Sequence, residues 1–254
     1  MLASERKNHI LKHLFEYGHV VVKDLSDELD VSFETIRRDL KELEAEGFLT
    51  KTHGGGILSQ KMPSTLTSEV RESLYHEEKE QLAGKAIQFI SNGQSIFLDS
   101  STTALEIAKK LNIFDKLTIF TNSLLIANII CQLPKHQLVL IGGNFDRTNR
   151  SFVGAPTRNF LDNYLIDLSF LSPTGLSQNG VLTEADEEEA YLRRKILHNS
   201  KQVFLVMDQT KVYRASTYVI AKISDFSGLI TNGHLPDEIR KLVADQDFLI
   251  DEQT

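Results

Sequence analysis

From Ser95 onward the chain keeps returning to short apolar runs, and that habit limits the folds open to it. "SIFL", "LTIFT", "QLVLIGG", "DLSFLS", "QVFLVMD", "YVIA" and "GLIT" are mostly separated by helical segments. Short apolar runs without polar alternation suit strands buried on both faces, and the intervening helices supply the covers. The pattern predicts an α/β domain with a mainly parallel sheet. Ahead of it, "EEKEQLAGKAIQFI" spaces Leu82, Ala83, Ala86, Ile87 and Ile90 as an amphipathic helix leading into that domain.

The N-terminal part is organised differently. Ile10, Leu11, Leu14 and Phe15 fall at helical spacing, and Gly18 ends that helix. After "HVVV", Leu25 and Leu29 share one face of a short helix in "KDLSDELD". Ser32 sits at an N-cap position before Ile36, Leu40 and Leu43, and Gly47 stops this third helix. "FLTKTHGGGIL" then reads as two short strands closing on a glycine turn. Three helices and a hairpin, in that order, predict a winged helix-turn-helix. The expected division is a winged domain over 1–58, a linker over 59–75 ("SQKMPSTLTSEVRES" and after), and the α/β domain over 76–254.

Charge bears on what the winged domain can bind. The whole chain carries −7, and residues 1–58 hold eight Lys and Arg against eleven Asp and Glu. Nucleic-acid binding therefore requires a focused basic surface turned away from the carboxylates. With Ile36, Leu40 and Leu43 facing the core, Phe33, Glu34, Arg37, Arg38 and Lys41 lie off the apolar stripe. Ser32 to Arg38 form the helix's first two turns, the part a helix-turn-helix inserts into the major groove. A guanidinium can bind guanine O6 and N7 together or clamp a phosphate. Ser32, Thr35 and the backbone N–H groups at the helix start can hold a phosphate. Lys51 and His53, beside Gly54 and Gly55, sit on a hairpin flexible enough to follow a groove or backbone.

In an open α/β sheet, ligands collect outside the carboxyl ends of the strands. Four polar loops fall there: Asp99, Ser100, Ser101, Thr102 and Thr103 after "SIFL"; Thr121, Asn122 and Ser123 after "LTIF"; Gly142 and Gly143, with Arg150 further along, after "QLVLI"; and Asp208 to Lys211 after "QVFLVM". Hydroxyls and free N–H groups at a helix start suit a phosphate. The two glycines let a backbone approach a ligand closely. Asp208 can accept from sugar hydroxyls, and Lys211 can pair with a phosphate.

The same residues permit a rival reading, a sugar-phosphate isomerase with a winged appendage. Its base would come from Glu184 or the run Asp186 to Glu189. An acidic run opening a helix complements the dipole and faces water, so no catalytic residue is expected. His9 and His13 stand at i, i+4, but Ile10 occupies the place of a zinc-protease glutamate and no third ligand is evident in sequence. Neither metal nor cofactor is expected. Cys131, the single cysteine, is read as a buried small hydrophobe among apolar neighbours and fits a reducing cytoplasm. No apolar run approaches the roughly 18 residues needed to cross a bilayer, and the first residues lack a signal peptide's apolar centre. The expected location is cytoplasmic.

"GHVVVKDLSDELDVSFETIRRDLKELEAEGFLTKTHGGG" resembles the N-terminal signature of DeoR-family bacterial transcription regulators, without a gap. The resemblance makes Ser32 to Arg38 the start of a recognition helix and Lys51 to Gly56 the wing. Lys51 stands where the family often has arginine. "FLDSSTT", "TNS", "LIGG" with "FVG", "TGL" with "NGVLTE", and "VMDQTK" resemble the family's sensor domain, which is similar to ribose-5-phosphate isomerases. That likeness implies a phosphate cradle at Asp99 to Thr103, completed by Lys211, with Gly175 inside the "TGL" match. Ser101 replaces a glycine found in many members, and Pro173 stands where looser glycine-rich versions are common. The implied partners are double-stranded operator DNA, a phosphorylated sugar or sugar alcohol, and a second copy or more of the chain, as homodimer or homotetramer.

Overall fold

Gly18 turns the chain out of its first helix with a left-handed backbone (φ 75°), its N–H reaching Leu14 O at 3.0 Å. This is the C-terminal cap that glycine tolerates best. The computed structural model describes residues 2–59, 68–244 and 248–251. They divide into two units, Met1–Tyr75 and His76–Thr254. Part of the expected linker, residues 60–67, lies outside the described residues.

The first unit runs α1 (Ala3–Tyr17), β1 (His19–Val21), α2 (Val22–Leu29), α3 (Phe33–Ala45), β2 (Leu49–Thr52), β3 (Gly55–Leu58) and α4 (Ser68–Ser73). Ser32 caps α3, its Oγ accepting the Thr35 N–H at 3.2 Å. Ile10, Leu11, Leu14, Leu25, Ile36, Leu40 and Leu43 are buried together in one core. Part of "HVVV" does more than lead into α2. As β1 it pairs with β3, giving an antiparallel sheet in the order β1-β3-β2. That pairing sets the requirement at Gly55, where a Cβ would lie 1.8 Å from Val20 O. Gly55 and Gly56 are therefore buried strand residues rather than a flexible tip; the turn itself is His53 and Gly54.

The second unit runs α5 (His76–Ala86), β4 (Ser95–Leu98), α6 (Thr102–Lys109), β5 (Thr118–Thr121), α7 (Leu124–Ile130) and β6 (Gln137–Leu140). It continues through β7 (Asn144–Asp146), β8 (Ser151–Val153), α8 (Ala155–Phe160), β9 (Ile166–Leu171), β10 (Gly175–Leu176) and β11 (Val181–Glu184). It ends with α9 (Glu187–His198), β12 (Ser200–Met207), β13 (Tyr218–Lys222), β14 (Gly228–Thr231), α10 (Asp237–Lys241) and β15 (Leu249–Asp251). A seven-stranded sheet in the order β15-β14-β12-β9-β4-β5-β6 is parallel throughout. Alternate residues of its strands enter different cores. Ile96, Leu98, Phe204 and Val206 join one, while Phe97, Leu205 and Met207 join the other. Both faces are thus covered, as the apolar runs require.

Two further expectations, on "YVIA" and Cys131, need correction. "YVIA" leaves the parallel sheet and, as β13, pairs antiparallel with β11. Its Val219 is 53% exposed and Ile220 4%, the alternation of a strand covered on one face only. Cys131 is exposed. It follows the short α7, whose buried residues are Ile126, Ala127 and Ile130, and one more residue rotates about 100° off that face.

Candidate functional site

In the first unit, Asp39, Glu42, Glu44 and Glu46 each have a partner within the unit. Arg6 donates through Nη2 to Asp39 Oδ1 at 3.0 Å and through Nε to Oδ2, and both residues are buried. The Asp39 hydrogen bond, opposed by burial, holds the Arg6 guanidinium above its ordinary pKa. Lys7 Nζ lies 2.5 Å from Glu42 and 3.6 Å from Glu46. Glu44 Oε1 accepts the Lys51 N–H at 2.8 Å.

With those acids engaged, Ser32, Glu34, Thr35, Arg37, Arg38, Lys41 and Lys51 line a groove of about 600 Å³. Arg37 Nη1 is 3.8 Å from Glu34, but the side chains are 60% and 86% exposed. Such a contact is worth at most about 1 kcal/mol and does not sequester the guanidinium. Arg38, Lys41, Lys51, Phe33, His53 and Gly54 are also exposed. An acidic unit thus presents a local cationic face beside a capped helix start.

In the second unit, the loops after β12, β9, β4 and β5 emerge from the carboxyl ends of neighbouring parallel strands. Asp99, Ser100, Ser101, Thr102, Thr103, Thr121, Asn122, Ser123 and Asp208 are buried there. Ser101 Oγ caps α6 by accepting the Ala104 N–H at 3.0 Å, and Ser123 Oγ caps α7 through Ile126 N–H at 3.3 Å. Lys211 Nζ donates to Ser172 Oγ at 2.6 Å, and that hydroxyl lies 3.2 Å from Thr103 Oγ1 in the first turn of α6. A cation, hydroxyls and a helix start therefore meet.

Behind them lies a buried charge cluster centred on Arg193 of α9. Its Nε donates to Asp99 Oδ2 at 3.0 Å, and Nη1 lies 2.8 Å from Glu184 Oε2 and 3.4 Å from Glu189 Oε2. Glu189 Oε1 accepts from Ser100 Oγ and Ser151 Oγ, each at 2.7 Å, and from Asn122 Nδ2 at 3.4 Å. Asp99 also accepts the Ser101 N–H at 3.0 Å and the Ser172 N–H at 2.8 Å. Burial opposes ionisation of Asp99, yet Arg193 and these donors hold its carboxyl below the ordinary range. At Glu189 burial prevails over Arg193 and the serines and pushes the carboxyl up. Burial disfavours the Arg193 charge, but Glu184, Asp99 and Glu189 overcome it and raise its pKa.

Residues 75–233 match the family model described as the DeoR C terminal sensor domain, and residues 6–61 that of the DeoR-like helix-turn-helix domain. The chain belongs to the DeoR family of transcriptional regulators. Among its DeoR-type relatives is the uncharacterized HTH-type transcriptional regulator YgbI of Escherichia coli K12, 32% identical over 98% of this chain and 97% of that one. The glycerol-3-phosphate regulon repressor of the same strain is 30% identical, over 96% of this chain and 97% of that one. Among solved structures, ribose 5-phosphate isomerase A of Methanocaldococcus jannaschii is similar at 15% identity and a TM-score of 0.40, over 54% of each chain. Among the described residues no helix is long and apolar enough to cross a membrane.

Some sensor residues of this DeoR chain do work other than the sequence suggested. A Cβ at Gly143 would lie 2.2 Å from Thr157 Oγ1 and 2.6 Å from Val153 O, so the glycine serves packing against β8. Gly142 is open on that side, and its carbonyl accepts Thr157 Oγ1 at 2.9 Å. Gly175 lets the Arg214 carbonyl come close, within 2.5 Å of where a Cβ would be. Asp208 accepts the Thr210 N–H at 2.9 Å and caps the turn carrying Lys211. Arg150, half-buried with φ 50°, offers its carbonyl to Leu124 N–H at 3.0 Å. The acidic run divides. Glu187 is exposed at the start of α9, whereas Glu184 and Glu189 are buried on Arg193 instead of facing water. Arg193, Ser151 and Ser172 were not picked out by sequence; charged residues spaced i, i+4 on one helix are the only local trace of the cluster.

Proposed function

We propose that this DeoR-family chain represses a carbohydrate-use operon and that a phosphorylated sugar or sugar alcohol sets its operator affinity. The effector reading rests on Lys211, held 2.6 Å from Ser172 Oγ beside the hydroxyl-rich start of α6. A cation, serine and threonine hydroxyls and a helix N-terminus suit a phosphate dianion, while hydroxyl and amide groups suit a polyol. The name of the glycerol-3-phosphate regulon repressor, a relative along nearly the whole chain, agrees with that class.

The DNA surface is Ser32, Phe33, Glu34, Thr35, Arg37, Arg38 and Lys41, and the wing is Lys51, His53 and Gly54. Arg37 and Arg38 enter the major groove; Lys51 meets phosphate. Two or four copies assemble in the cytoplasm, because one recognition helix reads few bases and operators mirror two-fold symmetry. Effector and operator are coupled reciprocally, at about 1–3 kcal/mol, so whatever weakens DNA binding is itself weakened by DNA.

Catalysis is not part of this reading. A general base must reach a substrate proton, and Glu184 and Glu189 are both committed to Arg193 inside the fold. The test is a thermal-shift panel of phosphorylated and unphosphorylated sugars and polyols, followed by operator titration with each hit. The expected result is a hit that requires the phosphate, needs Lys211 and changes operator affinity. Equal response to the dephosphorylated compound would refute the effector class, and Glu189-dependent turnover would replace the regulator with an enzyme.

A further inference from the structure

We propose that the winged unit carries a binding site for a late first-row divalent cation of the zinc class, formed by His9 and His13 of α1 and Glu28 of α2. Sequence alone supplied the histidine pair and no third ligand; the packing of α2 supplies it. His9 Nε2 lies 2.9 Å from Glu28 Oε1, and His13 Nε2 lies 3.4 Å from the same oxygen. One ligand atom from each residue stands within 4.8 Å of the others, a convergence found once among the described residues.

The arrangement follows from helix geometry. Residues four apart lie one above the other on a single face, and the two imidazole centroids are 4.6 Å apart. Glu28 projects from the last turn of α2, which Leu25 anchors in the core at 1% exposure. A tetrahedral ion with bonds of about 2.0–2.1 Å needs its ligand atoms about 3.3 Å apart. The two nitrogen–oxygen separations, 2.9 and 3.4 Å, bracket that value. With Nε2 of each imidazole unprotonated, all three groups offer an electron pair, and a metal ion takes the place of the proton that otherwise bridges His9 and Glu28. Two imidazoles select zinc, cobalt, nickel or copper over magnesium or calcium, which prefer oxygen. The side chains are 31%, 29% and 43% exposed, leaving a solvent-facing position for a water as fourth ligand. A bound ion cross-links α1 to α2 and stabilises the winged unit through linkage. The site is independent of the effector reading.

The untagged full-length chain, stripped with chelator, is titrated with Co²⁺ and then Zn²⁺. The expected result is one equivalent of Co²⁺ per chain with visible d–d absorption of low coordination number, displaced by Zn²⁺. The ion also raises the unfolding midpoint of the winged unit. A His9→Ala, His13→Ala double variant binds more than about tenfold more weakly, and Glu28→Gln loses affinity with its fold intact. Histidine footprinting of the wild-type chain provides a readout that does not depend on a variant folding. Zn²⁺ should protect His9 and His13 from diethyl pyrocarbonate while His19 and His53 stay reactive, and Mg²⁺ should protect none. No stoichiometric Co²⁺ spectrum, equal uptake by the double variant, or unprotected His9 and His13 would each overturn the site.

Discussion

Arg37 is 60% exposed on α3, whereas Arg193 is 4% exposed within the sensor unit, ringed by Asp99, Glu184 and Glu189. The first keeps its hydration and needs no partner, so it can act on a ligand that arrives from outside. The second has lost water and is tolerable only because carboxylates replace it. Exposed cations set a field; a buried one sets a geometry. Through Asp99, Arg193 fixes the N–H groups of Ser101 and Ser172, and its neighbour Glu189 fixes Ser100, Ser151 and Asn122. The hydroxyls of Ser100 and Ser151 are thereby oriented by the buried cluster.

The contrast breaks most visibly under substitution of each arginine. Arg193→Leu strands three buried carboxylates and should cost about 3–5 kcal/mol of sensor-unit stability by urea unfolding. A loss below about 1 kcal/mol would mean the cluster is wet and the contrast false. The same cluster has a pH signature. The Asp99 carboxyl is depressed in the folded state, so its stabilisation is present above its unfolded value of about 3.9 and lost as pH falls through the folded value. Burial raises the Glu189 carboxyl, so its effect has the opposite sign and weakens the fold as pH rises through its own range. Asp99→Asn should therefore be less stable than wild type near neutrality, with the gap closing on acidification. A gap that stays constant with pH would show that Asp99 acts through packing alone.

Arg37→Ala should leave stability within about 0.5 kcal/mol of wild type. It should nevertheless cost about 1–3 kcal/mol of operator binding, concentrated at one base position, by anisotropy titration on a set of point-substituted operators. Uniform weakening across all sequences would reassign Arg37 to phosphate.

The exposed half of this contrast was legible in the sequence, and the buried half was not. Ile36, Leu40 and Leu43 repeat with the helical period, and Ser32 caps the helix within three residues, so the outward direction of Arg37 and Lys41 follows from local rules. The parallel strands were equally readable as apolar runs. The Arg193 cluster joins residues up to 94 positions apart, and nothing near Glu189 says whether an acidic helix start will meet water or a neighbouring loop. Asp39 failed to register for the same reason, its partner Arg6 being 33 residues away. Glu28 reaches the histidines only because α2 packs beside α1, and "YVIA" changes sheets because four residues are too few to reveal which face is covered. Local periodicity fixes direction; convergence of distant segments fixes partners.

Lys51→Ala gives the smallest effect and the finest division within the exposed set. Glu44 pins the Lys51 backbone N–H at 2.8 Å and β2 pairs with β3, so the substitution removes a charge without moving the strand. If Lys51 meets a phosphate, one fewer counterion is released on binding. The slope of log affinity against log salt should then shrink by about 0.9, with similar weakening on operator and unrelated duplex. Lys51→Arg should restore the slope, since a phosphate accepts either cation, whereas a base contact tuned to an ammonium would not survive the exchange. An unchanged slope for Lys51→Ala would remove the hairpin from the interface and leave α3 as the whole of the contact surface. Weakening confined to the operator would make Lys51 a reader of bases, and the wing would then share sequence specificity with Arg37.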